Sequence, residues 1–387
     1  MAGPCPADFA RMAAELGGFT CDGAQPVIGL RNPFGLTNWT LPVLEVLIVA
    51  CAVLALVHAV RRYRAGDRVP MALWWAPVVY LLVIEIPVYF PNLVGAENTE
   101  NSMGVVFVHN VFAVEFLWDR LPLYIVAIYP AMTVLAYEVV RAFGVFARRG
   151  ILAGAMSVGF VHHCFYEVFD HLGPQRSWWL WNTASEANQP AVAAVPANSI
   201  FLFATVGPIL VTAVILAINR RRDGTGLDTF PRLVGAILCA GVVTPIGLII
   251  VGVPGRIAGG SGVQPNVGAQ AVVLGLLTVA FLAVGAWFLG GAWLRRADQP
   301  LTSAAPLVWL SGSAYLAVFA LLWAVSLPAY FAAADGVTAS GTLTGSLPYA
   351  LACWLVCALL LAAVRPRRTA GSAQVAVPAA SGQGRAE

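Results

Sequence analysis

Residues 104–118 read "GVVFVHNVFAVEFLW". The stretch is apolar enough to enter a bilayer but short for a crossing, because a helix needs about 20 residues to traverse a hydrocarbon core of about 30 Å. Whether it counts as a span decides the topology of everything after it. Nine other segments are long enough: 42–60, 71–91, 121–141, 150–169, 197–219, 232–253, 268–293, 305–330 and 346–364. The loops between them alternate in arginine content. "RRYRAGDR" (61–68), "RAFGVFARRG" (141–150), "RRRDGTGLDTFPR" (220–232), "RRADQ" (295–299) and "RPRR" (365–368) are rich in it, while 92–120, 170–196, 254–267 and 331–345 carry one arginine or none. With nine spans all the rich loops share one side, and basic loops face the cytoplasm. Counting 104–118 as a crossing inverts every later loop and destroys that agreement. We therefore read it as a short re-entrant or interfacial helix on the outer side. The expected fold is all-α, a polytopic transmembrane helix bundle of about nine spans. Its N-terminus lies outside and its C-terminus in the cytoplasm, which makes it a multi-pass protein of the cell membrane.

Composition agrees with that reading. The chain has 387 residues, 59% of them hydrophobic and 11% charged. A soluble domain carries roughly 25% charged residues. Disorder is excluded too, because it needs low hydrophobicity. Every basic residue is arginine, and with abundant Ala, Gly, Val and Pro this reads as a GC-rich coding bias. The net charge of +3 is spread over loops, so no nucleic-acid partner is implied. The partners expected are the lipid bilayer and a lipophilic small molecule.

Three regions follow. Residues 1–41 form an extracytoplasmic tail without a signal-peptide pattern, so the first span acts as its own insertion signal. Cys5 and Cys21 lie in that tail, where disulfides persist, and are expected to pair. Residues 42–365 form the transmembrane domain, with a polar, site-bearing half (42–182) and an apolar scaffold half (183–365). Residues 366–387 are of low complexity and expected to be disordered.

The Asp, Glu and His residues within the membrane segments lie in the polar half. Spans five to nine contain no Asp, Glu or His between their ends. The earlier segments hold Glu45, Glu85, His109, Glu115, Asp119, Arg120, Glu138, His162, His163, Glu167, Asp170 and His171. A charge inside a membrane costs about 2.5–3.5 kcal/mol or more, so such groups persist where they pair, bind a ligand or face water. "FVHHCFYEVFDH" (160–171) concentrates three of the five histidines. At about 100° per residue, His163, Glu167, Asp170, His171 and Tyr166 share one helix face, and His162 points away.

Three readings of that face are open. In a metal site, His163, Glu167 and His171 supply ligands, with His109, Glu115 or Asp119 completing the set, a mix suited to divalent Zn, Fe or Mn. In an acid–base site, Glu115, Asp119, Glu167 and Asp170 are the carboxylates and His163 relays protons. In a structural lock, the same groups tie helices together. Each reading expects the face to meet residues 104–120. "RSWWLWN" (176–182) is either an aromatic belt at the membrane edge or part of a lining. In the second case Trp118, Tyr124, Trp178, Trp179 and Trp181 bind substrate and stabilise cations.

The remaining polar groups have plainer readings. Glu138 and Arg141 read as an interfacial i, i+3 pair. Asp119 and Arg120 read as a local salt bridge. Glu45 reads as a snorkelling end residue and His58 as interfacial. Glu85 lies deeper and has no sequence neighbour to pair with. Cys51, Cys164, Cys239, Cys353 and Cys357 read as apolar fillers.

The acidic residues of the early spans, followed by "DHLGPQRSWWLWN" (170–182), resemble bacterial membrane enzymes of carotenoid biosynthesis in the hydratase group. That resemblance places Asp170, Pro174, Trp179 and Trp181 at matching positions. The family's Phe-Gly-x-Tyr stretch after its glutamate is absent, and "FLWDRLPLY" follows Glu115 instead. The leading expectation is a membrane enzyme using proton- or metal-assisted chemistry on a lipophilic substrate at the outer side of the first four spans. Hydration, cyclisation, isomerisation and hydrolysis all belong to that class. A proton-coupled secondary transporter and a non-catalytic scaffold are the alternatives.

Overall fold

The computed structural model describes residues 7–16, 23–90, 105–220, 226–260 and 266–366. Cys5, Cys21 and the tail beyond residue 366 lie outside the described residues, and so does the disulfide expected between those cysteines. In chain order the elements are α1 (Ala7–Glu15), β1 (Ile28–Leu30), α2 (Thr40–Arg64), α3 (Val69–Tyr89), β2 (Phe107–His109), β3 (Val114–Phe116) and β4 (Leu121–Pro122). Then come α4 (Leu123–Ala142), α5 (Val145–Asp170), β5 (Trp179–Trp181), β6 (Ala191–Val192) and β7 (Val195–Pro196). A π-helical segment (Ser199–Val206) runs into α6 (Gly207–Arg220). The chain ends with α7 (Phe230–Gly259), α8 (Val267–Leu294), α9 (Pro306–Ala324), α10 (Leu327–Phe331) and α11 (Leu347–Ala363).

The protein is mostly helical, as its apolar runs require. Backbone groups in lipid must bond within their own segment, and a helix does this. Among the described residues, 8 helices are long and apolar enough to cross a membrane, and α11 is a shorter apolar helix. Each coincides with one of the nine apolar segments. Helices α4 and α5 form the centre of the bundle, and their sides are the most enclosed. Helices α7 and α8 lie at the periphery and expose Ile249, Ile250, Leu276 and Trp287. Helix α8 still packs closely on α5. A Cβ on Gly285 would stand 2.5 Å from the Met156 carbonyl oxygen, so only glycine permits that approach.

The helix ends sort into two groups. At the arginine-rich end, Asp67 accepts from both Arg62 and Arg141 at 2.7 Å. The Thr302 N–H donates to the Ala142 carbonyl, and the Ala304 N–H to the Val364 carbonyl. The expected Glu138–Arg141 pair forms there at 2.8 Å, and His58 joins it at 2.9 Å from Glu138. His58 is therefore part of a buried polar network rather than a bare interfacial residue.

The arginine-poor end carries the small sheets. Strand β1 pairs antiparallel with β3, β3 with β4, and β2 with β5. Here the expectation for 104–118 is corrected. The described part of this stretch is not a helix but two short strands, paired with partners far away in sequence. Residues Leu117, Trp118 and Asp119 all take positive φ, of 56°, 56° and 57°, and turn the chain from β3 into β4. Three consecutive left-handed residues cannot belong to a helix of L-residues. Glu45 does not snorkel either. Its two carboxylate oxygens accept the Ala113 and Val114 N–H groups at 3.0 and 3.1 Å, so α2 holds the link between β2 and β3 in place.

One irregularity explains a histidine. Pro208 has no N–H to return to the Ala204 carbonyl, four residues back. The backbone widens into the π segment, and His162 Nδ1 donates to that carbonyl at 2.8 Å. Thr205 Oγ1 likewise donates to the Ile200 carbonyl at 2.8 Å. Side chains re-satisfying a proline-broken membrane helix are an expected device.

Candidate functional site

The His163–Glu167–His171 face meets the π segment and α11, not residues 104–120. Thr205 already donates its hydroxyl hydrogen to Ile200, so His163 Nδ1–H must donate to Thr205 Oγ1, at 2.9 Å. His163 Nε2 then accepts from the Tyr349 hydroxyl at 2.6 Å. His171 Nδ1 accepts from the Ser346 N–H at 3.1 Å, which leaves its hydrogen on Nε2, 3.2 Å from Glu167 Oε2. That last approach is misaligned, and neither Glu167 oxygen makes a hydrogen bond among the described residues. Burial pushes His171 down to about 4, with Asp170 opposing, so the imidazole is neutral. Cys164 on this face neighbours Cys353 and Cys357 of α11, which places three of the expected filler thiols together.

The metal set His109, His163, Glu167 and His171 is not assembled. Both nitrogens of His163 are taken by hydroxyls. Those of His109 are taken by Tyr89 and Tyr124, at 3.0 and 3.1 Å. Among the described residues no group of three or more His, Cys, Asp or Glu side chains is arranged to hold a metal ion.

Glu115 and Asp119 form a separate site in the sheet. Arg31, from the strand β1 side, bridges Glu115 at 2.8 Å and Asp119 at 2.7 Å. The local Asp119–Arg120 bridge is thereby replaced. Arg120 instead donates to the Tyr89 carbonyl and lies over the Phe9 and Phe90 rings. Burial raises Glu115 to about 8; Arg31 and the Phe112 N–H pull it down, and the nearby Asp119 and Glu45 carboxylates push it up.

The remaining candidates converge on a third cluster, where α3, α4 and α5 reach the arginine-poor end. Glu85 Oε1 accepts from the Tyr129 hydroxyl at 3.0 Å, and the Tyr129 ring packs edge-on against Tyr80 at 5.4 Å. The Tyr89 hydroxyl neighbours Glu85 and bonds His109, which bonds Tyr124. Burial lowers His109 to about 3. A neutral imidazole has one donor and one acceptor nitrogen, so it links the two tyrosines in either tautomer. Tyr166, on α5, lies within electrostatic reach of both Asp170 and Glu85. Asp170 accepts from Ser199 at 2.8 Å.

Aromatic rings close this cluster. Trp179 packs on Phe169 at 4.9 Å and on His109 at 6.3 Å, and Trp181 packs edge-on against Phe107 at 5.3 Å. Trp178 is fully buried and donates to Thr40 Oγ1 at 2.9 Å, so it is a core residue rather than a belt anchor. Trp118 lies farther out, edge-on to Phe90 at 5.7 Å. Among the described residues, four buried polar atoms of the cluster have no hydrogen-bond partner: Tyr80 Oη, Glu85 Oε2, Trp179 Nε1 and Trp181 Nε1. Such atoms are uncommon in folded proteins, and Glu167 and His171 at the α5–α11 contact carry them as well.

The structure thus gathers His109, Tyr124, Asp170, Trp179 and Trp181 of the expected residues. It sends Glu115 and Asp119 to the sheet, and His163, Glu167 and His171 to the α5–α11 contact. Sequence reasoning missed Tyr80, Tyr89 and Tyr129, and gave Tyr166 a place on the polar helix face but no role. A tyrosine in an apolar run reads as one more aromatic filler, and only its hydroxyl's partner distinguishes it. Family models, curated proteins and solved structures were compared with the chain, and none matches.

Proposed function

We propose that the chain is a nine-span membrane enzyme, N-terminus outside, that performs proton-assisted chemistry on a lipophilic substrate at the Glu85–Tyr89–His109 cluster. The observation that carries this reading is the cluster itself: a buried carboxyl bonded by the Tyr129 hydroxyl, with the Tyr89 hydroxyl beside it, Tyr89 in turn bonding a two-faced imidazole, and aromatic rings packed around them. The gathering of the arginine-rich loops at one end supports the orientation.

In the proposed step, Glu85 donates its proton to a substrate double bond. The cation formed is held by the faces of Tyr166, Phe169 and Trp179. For hydration, water adds to the cation and gives up a proton. For isomerisation, a neighbouring C–H gives it up. Tyr89, His109 and Tyr124 return a proton to Glu85, and Asp170 is the second carboxylate on the facing helix. Long apolar polyenes, the substrates implied by the resemblance at Asp170, Pro174, Trp179 and Trp181, belong to this substrate class.

A second reading, a non-catalytic scaffold, is favoured by His163, whose two nitrogens are both satisfied within the protein. Lipid extracts of cells expressing the wild type, Glu85→Gln or Asp170→Asn separate the two. The enzyme reading expects a lipid species that depends on the protein and disappears in both variants. Identical extracts from all three at equal expression would support the scaffold.

A further inference from the structure

"RSWWLWN" contributes a residue that the cluster above does not use. Arg176 lines a surface cavity of about 400 Å³ at the arginine-poor end, together with Thr37, Asn38, Trp39, Asn110, Gln175 and neighbours. Among the described residues no carboxylate pairs with this guanidinium, and its Nε is buried without a hydrogen-bond partner. Burial pushes its pKa down. The guanidinium lies over the Trp39 ring at 5.8 Å, which fixes its direction. Gln175 is 7% exposed, and its Oε1 also has no partner. The cavity is therefore lined by a half-buried cation that no described carboxylate neutralises and by a buried amide whose Oε1 no described residue engages.

Its walls are fixed before any ligand arrives. Asn38 Nδ2 donates to the Arg176 carbonyl and Asn110 Nδ2 to the Ser177 carbonyl, each at 2.7 Å. Gln175 Nε2 donates to the Ser326 carbonyl at 2.9 Å. Asn38 Oδ1 accepts from the Thr40 N–H at 3.0 Å, so the cavity sits directly at the head of α2. Trp39 is 57% exposed there, and the exposed Val46 and Val53 follow it at seven-residue spacing, on the same side of α2. A partly buried arginine beside an exposed tryptophan, at the level where an apolar helix begins, has the chemistry of a headgroup site.

We propose that this cavity binds the phosphate of an outer-leaflet phospholipid whose headgroup also carries a hydrogen-bond donor. Arg176 takes the phosphate and Gln175 Oε1 takes the donor, a hydroxyl or a primary ammonium. The acyl chains lie along Trp39 and the exposed side of α2. The inference rests on the proposed topology, which cysteine labelling tests separately, so the two can fail independently.

The experiment is native mass spectrometry of the full-length protein in detergent, titrated with phosphatidylglycerol, phosphatidylethanolamine or phosphatidylcholine. Phosphatidylcholine has the phosphate but no headgroup donor. The first two are expected to bind about tenfold more tightly than the third, the scale of one charged or buried hydrogen bond. Arg176→Gln is expected to weaken binding of all three by about tenfold, and Arg176→Lys to retain most of it. Equal binding of the three lipids overturns the proposal, as does unchanged binding in a folded Arg176→Gln. Should Arg176→Gln fail to fold, the headgroup preference of the wild type and the behaviour of Arg176→Lys decide. Soluble glycerol phosphate is the last arm. If it binds as tightly as phosphatidylglycerol, the lipid source is overturned.

Discussion

The Tyr349 hydroxyl donates to His163 Nε2 at 2.6 Å across 186 residues of sequence, joining α11 to α5. The chain of donors runs on through Thr205 to the Ile200 carbonyl, so one directed line of hydrogen bonds crosses three helical segments. Tyr349→Phe removes the first donor and leaves the buried His163 Nε2 without a partner. A buried acceptor left unsatisfied costs about 1–3 kcal/mol. The variant is expected to unfold at correspondingly lower denaturant in detergent. An unchanged midpoint would show that this contact does not hold α11.

Gly345 lies where the loop before α11 crosses the end of α5. A Cβ there would stand 1.9 Å from the His171 carbonyl oxygen, and backbone cannot move aside as a flexible side chain can. Gly345→Ala is expected to destabilise the protein by about 1–3 kcal/mol or more, as overpacking does. It should also raise hydrogen exchange around Ser346. Wild-type exchange and stability in the variant would contradict the packing described.

The Arg31–Glu115–Asp119 site makes docking of the N-terminal strand pH-dependent. Glu115 is raised from its ordinary 4.5 to about 8 when folded. The folded state therefore holds this proton more tightly than the unfolded state, so the stabilisation is full below 4.5 and is lost as pH rises through about 8. Limited proteolysis of the segment before α2 is expected to quicken as pH climbs across that window, and Glu115→Gln should flatten the profile. Proteolysis in the variant that still follows the wild-type profile would assign the effect to another group.

How much was legible in the sequence follows from which interactions are local. The apolar runs and the arginine alternation report on each segment by itself, and every expected span coincides with a helix. Helix ends were less visible. Helix α7 extends to Gly259, well past the expected 253, through Pro254 and Arg256. The strands of 104–118 were not visible, since β2 is defined by β5 some seventy residues later. Periodicity puts His163, Glu167, Asp170 and His171 on one helix face, but it does not tell which neighbours a face meets, and Asp170 parts from the other three. Thr205 and Tyr349, the partners of His163, stand in segments that contain no charged residue.

The topology has its own test. Cysteines introduced at Ala65 and Asp335, both exposed and at opposite ends of the bundle, should differ in intact cells. An impermeant reagent is expected to label position 335 and spare position 65. Labelling at 65 and not at 335 would reverse the orientation.

The central claim is that Glu85 passes a solvent-derived proton to a lipophilic molecule. Proteoliposomes of the wild type, supplied with a lipid extract of the expressing cells, can be incubated in heavy water and read by mass spectrometry. The account expects carbon-bound deuterium to appear in one lipid species, and to be absent with Glu85→Gln. No protein-dependent deuterium in any lipid, or undiminished incorporation in Glu85→Gln, would contradict it.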